Sequence, residues 1–409
     1  MPLPDTLPAP PKRNMALHVK PAAERALRDG HPWLYEEAIR DMSFAGEAGN
    51  IAVIFDSKDR FLAVGLYDPD SAIRVKVLQA NDKARVNADF FRARLQTAIE
   101  RRQPLHTKDT NGYRLVYGEG DGFPGLIIDR YADVFVMKLY SAIWLPYLRD
   151  ILTQLTVLLP SKNVVLRLSR NLQDNDTHGL HEGMILAGNL DSDVITFTEH
   201  GLLFGANVID GHKTGFFFDQ RDNRQRVRGL SAGKTVLDVF SYNGGFSVNA
   251  AMGGAKHVTS VDISEPALKS AQANMARNQH HQAVANCEHA IMAKDAFEAL
   301  TYLAIRKQTF DLVIVDPPTF ASKQSQVDGA LQAYHELVTR AVEVVKKGGT
   351  LVMASCSSRV PADTFFSVVH NAASRAGRPL SEFDRTQHAL DHPITFPEGA
   401  YLKCLYATL

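Results

Sequence analysis

One stretch constrains this chain more than any other: Lys234 to Leu268, KTVLDVFSYNGGFSVNAAMGGAKHVTSVDISEPAL. It reads as a buried strand over Thr235–Phe240, a turn at Gly244-Gly245, a helix, and a second strand over His257–Val261 closed by Asp262. Short apolar runs bounded by turn residues and joined by a helical segment predict a parallel βαβ unit. Such sheets bind ligands in the crevice outside the carboxyl ends of their strands. Asp238 and Asp262 stand at those ends, spaced so that a carboxylate can meet a ribose.

The turn discriminates between ligands. A dinucleotide site needs G-x-G-x-x-G, because a pyrophosphate must approach the backbone and rest on the helix N-terminus. Here the turn is D-V-F-S-Y-N-G-G, with no third glycine in register. A cofactor with a ribose and a charged amino-acid tail but no phosphates fits it better, and S-adenosylmethionine is such a cofactor. The competing account is an ordinary turn that needs glycine for its left-handed backbone.

The remainder of the C-terminal segment continues the pattern. A helix is predicted from Pro266 to Asn278, and Asp295 with Ala296 precedes another at Phe297. A strand over Phe310–Val315 runs into Asp316-Pro317-Pro318-Thr319, and a helix over 332–345 leads to a strand over Thr350–Ala354 ending in Ser355-Cys356-Ser357-Ser358. Strands alternating with helices predict a doubly wound α/β sheet. Asp295 can accept from an adenine amino group or cap its helix, and both can hold together. The two prolines after Asp316 remove backbone donors and stiffen the turn, so its carboxyl is either a pre-set contact to a base or a rigid strand terminus. Cys356 follows its apolar run rather than lying inside it, beside Asp316 on the neighbouring strand. It reads as a nucleophile or as a small buried hydrophobe. Cys287 and Cys404 lack such a setting and read as structural.

Upstream, 409 residues allow two or three domains. Residues 1–14 are proline-rich and predict a disordered tail without the apolar core of a signal peptide. Residues 15–83 are dominated by short strands and predict a small β-rich, barrel-like module. Residues 84–195 predict a central α+β domain, with a helix over Asn87–Arg102 and a glycine-rich turn at Gly118-Glu119-Gly120-Asp121-Gly122. Residues 196–409 form the α/β domain; near its start Asp219 is a candidate helix cap. Arg221, Arg224, Arg226 and Arg228 crowd the helix that follows, either as a solvated face or as a wall of the ligand site. The 45 basic and 45 acidic side chains of the chain cancel, and residues 15–83, with 9 basic and 11 acidic, give no compositional sign of nucleic-acid binding. Three cysteines without paired spacing argue against disulfides and a zinc cluster and for a reducing compartment. No apolar run reaches membrane-spanning length, which predicts a soluble cytoplasmic protein without a membrane partner.

Several strings in one order resemble the RlmI-like family of ribosomal-RNA large-subunit methyltransferases, which make 5-methylcytosine. They are VKPAAERALRDGHPWLYEEAI, YRLVYGEGDGFPGLIIDRY, GHKTGFFFDQRDNR, LDVFSYNGGFS, DPPTFASKQSQ, ASCSS and DHPITFPEGAYLK, covering nearly the whole chain from about Leu17. The resemblance implies an N-terminal PUA-type RNA-binding domain, a central α+β domain and a C-terminal Rossmann-like class I methyltransferase domain. It implies S-adenosylmethionine contacts at Asp238, Phe240, Ser241, Asn243, Gly244, Asp262 and Ile263, and adenine contacts at Asp295 and Ala296. Asp316 is implied at both the cofactor and the base, Cys356 as the nucleophile, and large-subunit rRNA as the partner. Other readings remain: methylation of guanine or an exocyclic amino group, a small-molecule methyltransferase, or a non-catalytic RNA-binding assembly factor. The oligomeric state stays open, a homodimer included.

Overall fold

The structure is a computed structural model that describes residues 3–160, 163–174 and 176–409. The chain gathers into two compact units. One holds the residues up to Phe197 with Ala206–Phe216 and Leu390–Phe396; the other holds Thr198–Gly205, Phe217–Ala389 and Pro397–Leu409.

The first unit contains two sheets. Six strands pair in the order Trp33–Leu34, Val75–Ala80, Phe61–Tyr67, Ile51–Phe55, Met15–Val19 and Ile39–Met42. Strict alternation sets which way the strand Met15–Val19 faces: Met15, Leu17 and Val19 are fully buried while the residues between them are not. Five further strands between Gly112 and Ala187 form the second sheet, against which helices Ala88–Arg102 and Leu148–Leu158 pack. The two sheets share a core, since Leu66 and Leu78 of the first lie among the buried residues of the second. Buried polar groups tie them as well. Asp68 accepts from Lys76 Nζ at 2.5 Å and Ser141 Oγ at 2.7 Å, and the Tyr147 hydroxyl donates to Gly49 O at 2.8 Å.

The tail expected over residues 1–14 needs correction. Met1 and Pro2 lie outside the described residues. From Leu3 on, the prolines do keep the chain free of helix and strand until Met15. Yet Leu3 is buried in the core of the second sheet, Leu7 packs against it, and the Thr6 hydroxyl donates to His178 O. Two apolar anchors four residues apart offset the entropy that composition alone assigns to a solvated tail.

The second unit is built on one seven-stranded sheet. Its strands are β1 (Thr235–Val239), β2 (His257–Asp262), β3 (Glu288–Ala293), β4 (Phe310–Val315), β5 (Val345–Ser355), β6 (Ser381–Thr386) and β7 (Lys403–Thr408). The spatial order is β3-β2-β1-β4-β5-β7-β6, with β1 to β5 parallel and β7 antiparallel to both neighbours. Both faces are covered, as a parallel sheet requires. Leu237, Val239, Val313, Val315, Leu351 and Met353 point to one side, against helices Ala296–Ile305, Val327–Val344 and Ala362–Arg375. Val236, Leu312, Ile314, Val352 and Ala354 point to the other, against Val227, Phe246 and Ala250. Among the described residues no helix is long and apolar enough to cross a membrane.

The arginine-rich helix Arg221–Leu230 is not the solvated face its charges allow. Arg221 and Arg224 are buried, and Glu199 holds both: Arg224 through two bonds of 2.7 Å, Arg221 as an ion pair at 3.4 Å. Half-buried Arg228 donates to Asn249 Oδ1, and Arg226 pairs with Asp384. Nor is Asp219 a cap, because it lies inside a short 3-10 turn over Phe218–Gln220 and accepts from the Tyr401 hydroxyl at 2.8 Å. Glu199→Ala removes the carboxylate that two buried guanidiniums share and should destabilise the protein by about 3–5 kcal/mol. Urea denaturation reads this directly, and an unchanged midpoint would contradict the assignment.

Candidate active site

The loop after β1 has an unusual backbone. Phe240 (φ 63°), Tyr242 (φ 47°) and Gly244 (φ 76°) all adopt left-handed conformations. For Phe and Tyr this costs about 1–3 kcal/mol each and persists only where neighbours fix it. They are fixed here: Ser241 N–H donates to Val261 O at 2.9 Å and Tyr242 N–H to Asp262 Oδ2 at 2.9 Å. Gly244 is required by space as well, since a Cβ there would come within 2.8 Å of the Ala271 side chain. Asn243 is buried, and its carbonyl accepts from Asn274 at 2.8 Å.

Asp238 lies fully buried within β1. Its Oδ2 accepts from Ser247 N–H at 3.0 Å and Ser247 Oγ at 2.6 Å, but Oδ1 has no hydrogen-bond partner among the described residues. Ser241 Oγ is likewise buried without one. Burial pushes the Asp238 carboxyl up to about 7, with the Ser247 bonds opposing the shift and the Asp262 charge adding to it. Buried polar atoms are nearly always satisfied, so these two call for a ligand that brings donors and acceptors. An ammonium and sugar hydroxyls would supply them.

The next two strand ends extend the crevice. Asp262 closes β2 with both oxygens engaged, Oδ1 to Ser264 N–H and Oδ2 to Tyr242 N–H, each at 2.9 Å. An ionised carboxylate has lone pairs to spare for a ribose. Ile263 beside it is 74 % exposed, a bare aliphatic face that a flat ring could cover. Asp295 does cap helix Ala296–Ile305, with Oδ1 accepting from Phe297 N–H and Glu298 N–H; Oδ2 takes no part in the cap. Ala296 is buried behind it.

At the middle of the sheet β4 and β5 run out into Asp316 and Cys356. Asp316, one residue past β4, accepts from Gln220 Nε2 at 2.8 Å. Burial pushes its carboxyl up to about 7; the charges of Asp219 and Asp238 add to this, while Gln220 and Arg224 oppose it. Cys356, one residue past β5, is half-buried. Its Sγ lies 3.1 Å from Thr319 Oγ1 and 3.7 Å from Pro317 O, so the thiol packs directly on the stiff D-P-P-T turn. The other thiols are elsewhere: burial pushes Cys287 up to about 11 and Cys404, inside β7, up to about 12.

Sequence reasoning missed the supporting groups. Gln220 orients Asp316 and is itself held by Asn223 Nδ2 at 2.5 Å, while Asn223 accepts from the Tyr406 hydroxyl at 2.9 Å. A clue lay in FFFDQRDNR, where uncharged Gln220 and Asn223 interrupt a run of charges at helical spacing. Thr319 was visible only as part of D-P-P-T.

Comparison with known proteins places this crevice. Residues 147–406 match the family described as S-adenosylmethionine-dependent methyltransferase, and residues 17–80 match a PUA-like domain. A ribosomal RNA large subunit methyltransferase of Deinococcus radiodurans is 45% identical over 405 residues, covering 98% of both chains. The chain belongs to this methyltransferase family. An Escherichia coli relative named ribosomal RNA large subunit methyltransferase I is 35% identical over 384 residues, covering 93% of this chain and 96% of its own. A methyltransferase crystal structure in complex with SAH superposes with a TM-score of 0.83 at 25% identity, covering 96% of this chain and all of that one. Membership of the family makes S-adenosylmethionine the cofactor, and the unbonded Asp238 Oδ1 and Ser241 Oγ, the phosphate-free turn and exposed Ile263 fit it. Asp262→Ala should weaken S-adenosylmethionine binding by about 1–3 kcal/mol through loss of a charge-assisted hydrogen bond. Calorimetry showing wild-type affinity would remove Asp262 from the site.

Proposed function

We propose that the protein methylates C5 of a cytosine in large-subunit ribosomal RNA through a covalent bond from Cys356 to the base. The observation that carries this reading is the contact of the Cys356 thiol with the turn that carries Asp316. An amino-group methylase has no use for a thiol there. The names of the relatives support ribosomal RNA as the substrate, and the PUA-like residues 17–80 support a second hold on RNA.

Cytosine C5 is too weak a nucleophile to take a methyl group unaided. The Cys356 thiolate adds to C6; the ring electrons move towards N3, which takes the proton that Asp316 holds near neutrality. C5 is then enamine-like. S-adenosylmethionine supplies an electrophilic methyl group on a sulfonium. C5 forms the new carbon–carbon bond as that sulfur–methyl bond breaks. Loss of the C5 proton to a base then expels the thiolate from C6, restoring the double bond, and Asp316 regains its proton from N3. Gln220 holds the carboxyl in place throughout, and Thr319 and Pro317 fix the sulfur. A paired cytosine must be flipped out of its helix to reach the crevice. Asp316, Asp262, Asp238 and the glycine turn are all in place, which disfavours an assembly factor without catalysis.

Cys356→Ala should reduce methyl transfer to background while S-adenosylmethionine affinity stays near wild type. Cys287→Ala and Cys404→Ala should remain active, with a packing loss of about 1–2 kcal/mol. Because Asp316 acts in its protonated form, wild-type kcat/KM should fall as pH rises through about 7, where burial places its titration. Methylation by Cys356→Ala near the wild-type rate would overturn the covalent route and favour a guanine or amino target.

A further inference from the structure

Lys403 is a buried cation that the mechanism above does not use. It is 3 % exposed and lies directly opposite Ser355 in the antiparallel pairing of β5 and β7. Its Nζ donates to Ser357 O, to Val360 O at 2.7 Å and to Tyr401 O at 3.2 Å. All three acceptors are neutral carbonyls, and two belong to the loop that leaves β5 through Cys356. Among the described residues no carboxylate pairs with it. Burying an ammonium without a counter-charge costs several kcal/mol, and a neutral donor could satisfy carbonyls at lower cost. The charge itself therefore calls for an explanation, and among the described residues the ionisable group whose charge acts favourably on it is Cys356.

We infer that Lys403 is a positioning residue for Cys356: it clamps the loop that carries the thiol and places a fixed positive charge beneath it that favours the thiolate. The inference deepens the covalent reading, on which its catalytic meaning rests. Thr319 offers a hydroxyl, and Tyr334 is kept neutral by burial with its hydroxyl on Ser355. Asp316 disfavours a thiolate once ionised, but burial keeps it largely protonated below about 7. Arg359, three residues on, is exposed. Burial lowers Lys403 only to about 8, so its ammonium persists at neutral pH. Just below pH 7 the three groups are thus a cation, a carboxyl that still largely holds its proton, and the Cys356 thiol. That combination allows nucleophile and proton donor to coexist.

The test is the pH dependence of iodoacetamide alkylation at Cys356 in the full-length protein, quantified on its own peptide by mass spectrometry. Lys403→Met should raise the midpoint by about one pH unit or more, as removal of an adjacent opposite charge does. It should lower kcat about tenfold at pH 7 while leaving the KM for S-adenosylmethionine alone. Lys403→Arg, which keeps the charge, should recover most of both losses. A folded Lys403→Met protein with a wild-type midpoint would overturn the inference. Should Lys403→Met fail to fold, linkage offers a reciprocal reading that leaves Lys403 intact. In Cys356→Ser, the NMR titration of lysine labelled at Cε should show Lys403 losing its proton at lower pH, and no shift would overturn the inference equally. Alkylation reports the thiol whatever the enzyme methylates. A shifted midpoint together with an active Cys356→Ala protein would sink the covalent mechanism and leave the electrostatic pairing standing.

Discussion

A parallel sheet buried on both faces can tolerate ionisable side chains only at its edges, and the catalytic unit follows from that constraint. Through the middle of β1, β4 and β5 the apolar residues alternate between two buried layers, which leaves the strand ends as the place for exposed chemistry. Asp262 ends β2, Asp316 follows β4 and Cys356 follows β5, all on the carboxyl side. Asp238 lies inside β1 and fully buried, and it survives there because Ser247 donates to it twice and burial shifts it towards the neutral form.

Crowding acids in a low-dielectric crevice has a second effect. The charges of Asp219 and Asp238 disfavour ionisation of Asp316, and removal from water does the same. A carboxyl that keeps its proton near neutrality can donate to a ring nitrogen, which an ordinary surface aspartate cannot. The positive charges are arranged differently. Arg221 and Arg224 are tied to Glu199 and brace the fold, whereas the hydrogen bonds of Lys403 among the described residues go to backbone carbonyls. Paired arginines hold the architecture in place, and the buried lysine without a carboxylate partner among the described residues is the one we propose acts on the thiol.

Much of this was legible in the sequence, for reasons that differ by element. The strand–turn–helix–strand at Lys234 to Leu268 announces itself because apolar runs and glycine punctuation are local, and so does the cap at Asp295. The strand ends are readable because D-P-P-T and S-C-S-S each break an apolar run. What resisted reading depends on partners remote in sequence. Nothing local says that Glu199 will bury Arg221 and Arg224, that Leu3 will enter the core of a sheet over a hundred residues away, or that Lys403 will pair across from Ser355. Charge patterns read as solvated faces unless the opposite charge stands within a helical turn or two. Gln220 escaped notice for a related reason, since its value lies in reaching Asp316 from another element.

The central claim is a sulfur–carbon bond between Cys356 and the target base, and trapping it is the most direct measurement. RNA carrying 5-fluorocytosine at the target should halt after methyl transfer, because fluorine cannot leave C5 as a proton does. With S-adenosylmethionine present, the wild-type protein should then migrate with its RNA on a denaturing gel, and mass spectrometry should locate the link at Cys356. A substituted RNA that the protein binds and methylates without any denaturation-resistant species, or an adduct at another residue, would contradict the account.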